Sequence, residues 1–155
     1  MDDRTLMETA VQAREYSYSP YSNFRVGAAL LCADGSVYTG CNMENAAFTP
    51  GICAERTAIY KAVSEGKRNF LAIAIAGGPA AAGSGELFLT APCGVCRQVM
   101  REFCDPETFR IILGTGGEDL QSWLLKDLLP LSFGPENLAS GREPGEKKEK
   151  EVPGA

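Results

Sequence analysis

Three cysteines and one glutamate carry the chemistry legible in this chain. Cys53-Ala54-Glu55 is followed further along by Pro92-Cys93-Gly94-Val95-Cys96. Three thiolates can hold a zinc ion and leave its fourth position open to water. That is a catalytic arrangement, whereas a fourth protein ligand would close the site and make it structural. Glu55 is then best kept out of the ligand set, free to move protons. The chain contains no histidine, so an imidazole base, a His-ligated metal and a His-dependent triad are all excluded, and proton transfer falls to carboxylates. A lone C-x-x-C also occurs in structural zinc half-sites and redox pairs. The Cys-Ala-Glu upstream favours the catalytic reading.

Thiolates form most readily where positive potential is fixed, and helix N-termini supply it through unpaired N–H groups and the macrodipole. The pattern places Cys53 at the entry of one helix and Cys93 and Cys96 in the first turn of another, on one face at i and i+3. Cys53 and Glu55 pose a geometric condition. Two helical steps turn a side chain by about 200°, so both can serve one site only if Cys53 lies at the edge that is not yet helical. Three thiolates against a dication leave an electron-rich centre. Arg56 is placed to donate to the ligand sulfurs and withdraw charge, and Arg97 is a second candidate for that role.

The elements that must hold these residues read as follows. Thr5 and Glu8 fit a capping box, opening a helix with apolar positions Leu6, Met7, Ala10, Val11 and Ala13 that ends near Tyr16. Tyr18 to Phe24 is an irregular loop. Val26 to Cys32 and Ser36 to Met43 form two strands about an Asp34-Gly35 turn. The second helix spans Cys53 to Glu65 and stops at Gly66. Phe70 to Ala76 is a buried central strand, and a brief strand follows at Glu86 to Leu89. Pro92 starts a helix that runs to about Phe103. Phe109 to Leu113 is a further strand, Gly114 to Gly117 a turn, and Leu120 to Leu129 a short strand followed by one or two helical turns. From Gly141 onward Pro, Gly and charge dominate and predict disorder. The expected organisation is one domain over 1–138 and a charged tail over 139–155, with a mixed sheet covered by helices on both faces.

Composition narrows the function classes. The 155 residues, 45% hydrophobic and 23% charged, suit one globular domain with a real core. No apolar run is long enough to span a bilayer, and the acidic start Met1-Asp2-Asp3-Arg4 lacks a signal-peptide pattern, so no membrane partner and a cytoplasmic location are expected. A net charge of −5 opposes a nucleic acid polymer as partner, because phosphate backbones are gripped by clustered Lys and Arg. Lys147-Lys148-Glu149-Lys150 is interleaved with acid and reads as a solvated terminus. Cys32, Cys41 and Cys104 read as buried packing thiols. Cys41 could in principle supply a fourth ligand, but its strand position argues against it.

The Cys-Ala-Glu and Pro-Cys-x-x-Cys segments together resemble the small, free-nucleoside branch of the cytidine deaminase family, in which the Glu is not a ligand. The resemblance runs from about Tyr16 to Glu136. It implies a three-layer α/β/α sandwich around a five-stranded mixed sheet, one zinc per subunit and a homotetramer with shared active sites. It implies hydrolytic deamination of cytidine and deoxycytidine, in which activated water attacks ring C4 while Glu55 protonates N3 and then carries a proton to the departing amino group. It assigns Arg56 to the ligand sulfurs, and it matches Asn42 and Glu44 to sugar binding, Phe24 to base stacking, and Phe48 and Phe133 to pocket walls lent by neighbours. The backbone of Ala54 is placed to read the pyrimidine edge. Phe48 stands where Tyr is frequent, and Arg25 where Pro is common. Three competing readings are a deaminase of another aminopyrimidine nucleoside such as blasticidin S, a polynucleotide editor, and a non-catalytic zinc-stabilised module.

Overall fold

In the computed structural model of the protein, residues 1–116 and 118–138 are described; the charged tail from 139 and Gly117 lie outside them. The elements in chain order are α1 (Asp3–Arg14), β1 (Phe24–Cys32), β2 (Val37–Cys41), α2 (Ala54–Ser64), β3 (Phe70–Pro79), α3 (Gly94–Phe103), β4 (Arg110–Leu113), β5 (Gln121–Leu124) and α4 (Leu125–Leu128), followed by a 3₁₀ turn at Pro135–Leu138. The five strands form one sheet in the order β2-β1-β3-β4-β5. The β3–β4 pair is parallel and the others are antiparallel. A parallel neighbour requires a crossover, and α3 supplies it.

Alternation along the strands sorts the core into two layers. Ala29, Leu31, Ala72, Ala74, Ala76 and Ile112 face α1, which contributes Leu6, Met7 and Ala10. Leu30, Ile73, Ile75, Ile111 and Leu113 face the other way, onto Ala54, Ala58, Ile59 and Ala62 of α2 and Met100 of α3. The expected helix–sheet–helix sandwich follows from this period-two segregation.

Two glycines let the helices sit close to the strands. A Cβ at Gly27 would lie 2.0 Å from the carbonyl oxygen of Ala10, and one at Gly40 would lie 2.4 Å from that of Ala54. α1 and α2 therefore rest with backbone against backbone on opposite faces of the β1–β2 hairpin. The seat under α2 matters for function, because it fixes the height of the helix start that carries Cys53 and Glu55.

Several local expectations are corrected. Asp2, not Thr5, caps α1: its carboxylate accepts the Thr5 N–H at 2.8 Å. Glu8 turns outward to pair with Arg4 at 3.4 Å. An acceptor one turn earlier draws the helix start with it, leaving Thr5 inside the first turn. Glu86 to Leu89 is not a strand; Phe88 alone bridges Gly77, while Leu87 is buried in the α1-side core. Pro92 precedes α3 and does not open it, because Cys93 takes the extended N-cap position. β2 ends at Cys41, so Asn42 and Glu44 lie just beyond it, in a segment kept extended by bridges from Met43 to Tyr18 and Ile52. The short strand and helical turn expected between Leu120 and Leu129 are present as β5 and α4.

Candidate metal centre and active site

The starts of α2 and α3 converge. Cys53 is the N-cap of α2 at φ −79°, ψ 156°, and Cys93 is the N-cap of α3 at φ −66°, ψ 166°. Both are extended, which meets the condition that Cys53 be non-helical if Cys53 and Glu55 are to share one site. Cys53 Sγ lies 3.9 Å from Cys93 Sγ, which lies 3.5 Å from Cys96 Sγ. All three sulfurs fall within 4.8 Å of one another. Tetrahedral zinc with Zn–S bonds of about 2.3 Å sets its sulfurs about 3.8 Å apart. The donor set and its spacing fit zinc.

Cys41 does not join the cluster. It is half-buried, not fully packed as expected, and its thiol donates to the carbonyl of Tyr16 at 3.3 Å. Cys32 and Cys104 are buried, as expected.

The electrostatics of the cluster are uneven. The neighbouring Cys96 thiol holds Cys53 well below the usual thiol range against its own burial, with help from the Arg56 guanidinium. Cys96 is pushed up by its proximity to that thiolate and by burial. Arg56 donates to Cys53 Sγ at 3.6 Å, and its Nε is a buried donor with no partner among the described residues. The expected role of Arg56 at the ligand sulfur therefore has geometric support. Arg97 does not share it. Its guanidinium donates to the carbonyls of Pro92 at 2.7 Å and Leu128 at 2.6 Å, tying the start of α3 to α4.

Glu55 stands in the first turn of α2, 4% exposed. Burial pushes its carboxyl up from 4.5 to about 7, and the neighbouring Cys53 thiolate adds to the rise while Arg56 opposes it. A carboxyl poised near neutrality can both give and take a proton, as general acid–base work requires. Ala54, between ligand and acid, has no exposed surface.

An open pocket of about 560 Å³ reaches Cys53 and Arg56 at one end and Asn42, Glu44 and Phe48 along its wall. It meets the sulfur cluster only at Cys53. The side chains of Asn42 and Glu44 both turn toward the 17–24 loop. Asn42 Oδ1 accepts from Ser17 Oγ at 2.5 Å and from the Val26 N–H at 2.8 Å, and its Nδ2 donates to the Phe24 carbonyl at 2.9 Å. Glu44 accepts from the N–H groups of Tyr21 and Ser22 and from the Ser22 hydroxyl. Phe24 packs against Phe88 with ring centroids 6.0 Å apart and planes at 49°. Phe48 is fully exposed at the pocket wall, whereas Phe133 is 59% exposed and outside the pocket lining.

Sequence reasoning missed the partners that set these residues. Ser17, Ser22 and Phe88 carry no motif of their own. Only the Ser-Asn pair at the turn before Phe24 hinted at local side-chain bonding.

An α/β sandwich that brings three thiols and a buried, elevated carboxyl to two helix starts defines a zinc-type hydrolytic centre. Residues 1–112 match the family model described as the cytidine and deoxycytidylate deaminase zinc-binding region, and the chain belongs to that family. It is 46% identical over 138 residues to the cytidine deaminase of Halalkalibacterium halodurans, covering 89% of this chain and 98% of the relative. It is 43% identical to that of Sporosarcina psychrophila over 92% of this chain and 99% of the relative. The crystal structure of cytidine deaminase from Burkholderia pseudomallei matches with a TM-score of 0.76 and 44% identity, covering 86% of this chain and 100% of that one.

Proposed function

We propose that this protein hydrolytically deaminates free cytidine and deoxycytidine to uridine and deoxyuridine with release of ammonia. Cys53, Cys93 and Cys96 would hold one zinc ion, and Glu55 is the proton shuttle. The observation that carries the reading is Glu55 itself: a buried carboxyl raised to about 7 at the helix start that also presents Cys53.

When bound, zinc supplies a Lewis acid that readies water for attack on the ring. The remaining work belongs to the chain. Protonated Glu55 donates to ring N3, which makes C4 electrophilic. As the C–O bond forms, the carboxylate takes a proton from the attacking water and delivers it to the exocyclic nitrogen; the C–N bond breaks, ammonia leaves, and the remaining proton of the added hydroxyl returns to Glu55 as the C4 carbonyl forms. Arg56 draws charge from the Cys53 sulfur. Asn42 and Glu44 would meet the sugar hydroxyls, which need both a donor and an acceptor, and Phe24 would stack on the base. The backbone of Ala54 borders the ring.

The active unit is a homotetramer with shared sites. Phe48, Leu131 and Phe133 are large apolar side chains exposed on the single chain, the kind of surface that another copy covers. Phe48 and Phe133 then become pocket walls for neighbours. Thiolate ligands need a reducing compartment, which supports a cytoplasmic role in pyrimidine salvage. No described helix is long and apolar enough to cross a membrane.

The test is to incubate the zinc-loaded protein with cytidine, deoxycytidine and blasticidin S, following loss of ultraviolet absorbance and release of ammonia. Turnover of the first two supports the reading. Turnover of blasticidin S alone, or of none, overturns it.

A further inference from the structure

One hydroxyl joins the sugar side of the site to the base side. Ser22 Oγ donates to Glu44 Oε1 and accepts the backbone N–H of Phe24 at 3.0 Å. Glu44 Oε2 takes the N–H groups of Tyr21 at 2.9 Å and Ser22 at 3.2 Å. Between Ser22 and Phe24 the turn passes into β1 through Asn23, which adopts the left-handed conformation at φ 52°, a region that Asn tolerates better than most residues. The turn is anchored on both sides, with the Asn23 N–H on the Ser19 carbonyl and the Asn23 carbonyl accepting from Ala80.

An ionised carboxylate offers about four acceptor directions. Three of those on Glu44 are filled by this loop, which leaves Oε1 one direction for a ligand. Phe24 is fixed just as closely. Its N–H is held by Ser22 and its carbonyl by Asn42 Nδ2, and its ring lies against Phe88. The bond from Ser22 also keeps the Glu44 carboxyl below its usual range, so the group stays an acceptor.

We propose that Ser22 is a positioning residue for nucleoside recognition, its hydroxyl setting the Glu44 carboxylate toward a sugar hydroxyl and Phe24 toward the base at once. This rests on the reading of Glu44 and Phe24 as substrate contacts. The role needs a group that donates and accepts together. Serine and threonine do so, and alanine does neither. Ser22 is exposed on the single chain, so losing its hydroxyl opens no core cavity and is expected to act on recognition more than on the fold.

The experiment compares steady-state kinetics on cytidine for the full-length, zinc-loaded protein and its variants. Ser22→Ala should raise KM by about tenfold, the scale of a hydrogen bond to a charged group. kcat should stay within about twofold, the signature of lost binding, and metal content should not change. Ser22→Thr should restore KM. In a double-mutant cycle with Glu44→Gln the two penalties should not add, since one acts through the other. If Glu44→Gln raises KM while Ser22→Ala does not, the sugar reading stands and the positioning role is overturned. Additive penalties, or a Ser22→Ala loss shared by kcat and metal content, overturn it as well. If Glu44→Gln leaves KM unchanged, the sugar reading fails and the positioning role fails with it.

Discussion

α1 begins with Asp2, whose carboxylate accepts the N–H of Thr5 at 2.8 Å; α2 and α3 begin with Cys53 and Cys93, and neither makes a side-chain cap. A serine, threonine or aspartate cap is typically worth about 1 kcal/mol over a residue that cannot accept. Among the three long helices, the chain forgoes that stabilisation at the two starts where sulfur is needed and keeps it at α1, where nothing but folding is at stake; the single-turn α4 is also uncapped. The uncapped N–H groups and the dipole leave positive potential at both starts, which suits the negative sulfur shell of a dication held between the two helices. The contrast extends into the sheet. The α1 layer is built on alanines, whereas the opposite layer carries Leu30, Ile73, Ile75 and Ile111 beneath α2 and α3.

Exchanging the two kinds of helix start is the sharpest way to break this comparison. Cys93→Ser should abolish stoichiometric zinc and turnover. It should also stabilise the metal-stripped protein by about 1 kcal/mol, because serine is a good N-cap; metal analysis and urea unfolding read the two effects. A variant that loses zinc without gaining stability would show that the uncapped start carries no cost.

Glu55→Gln should keep zinc and lower turnover by at least about two orders of magnitude, the scale of general acid–base catalysis. Unchanged turnover would remove Glu55 as the shuttle. Gly40→Ala forces a methyl group toward the Ala54 carbonyl, which lies 2.4 Å from that position, and should destabilise the protein by about 1–3 kcal/mol, as overpacking does. Thermal unfolding with and without zinc measures it.

Glu55 also makes a pH prediction for the metal-stripped protein. Its carboxyl is raised from 4.5 to about 7 in the fold, so between those values the folded chain holds a proton that the unfolded chain has released. The slope of stability with pH follows protons bound unfolded minus folded, which is negative here. The contribution of Glu55 is therefore full below about 4.5 and falls as pH rises through about 7. Subtracting the curve of Glu55→Gln isolates it from the cysteines. A rise across that window would contradict the burial argument. The smallest effect belongs to α1: Asp2→Ala should cost about 1 kcal/mol and leave zinc content and kcat unchanged.

The site was more legible than its surroundings. Cys53, Cys93, Cys96 and Glu55 announce themselves because metal chemistry restricts residue types, and the order of helices and strands follows from periodicity. The hydrogen bonds from Ser17 to Asn42 and from Ser22 to Glu44 join residues 25 and 22 positions apart. Only the folded hairpin brings such pairs together, so no local pattern reports them. Arg97 beside Cys96 looked like a partner for sulfur. Its reach to the Leu128 carbonyl depends on where α4 lies, which spacing does not reveal. Thr5 and Glu8 fit a capping box, yet Asp2 offered an equally good acceptor one turn earlier, and local propensity alone does not rank the two.

The central claim is that sulfur from two helix starts, and no fourth side chain, surrounds the metal. X-ray absorption at the zinc edge of the purified, active protein tests it most directly. Three sulfur neighbours at about 2.3 Å and one oxygen near 2.0 Å are predicted; a shell of four sulfurs, or one without sulfur, would contradict it.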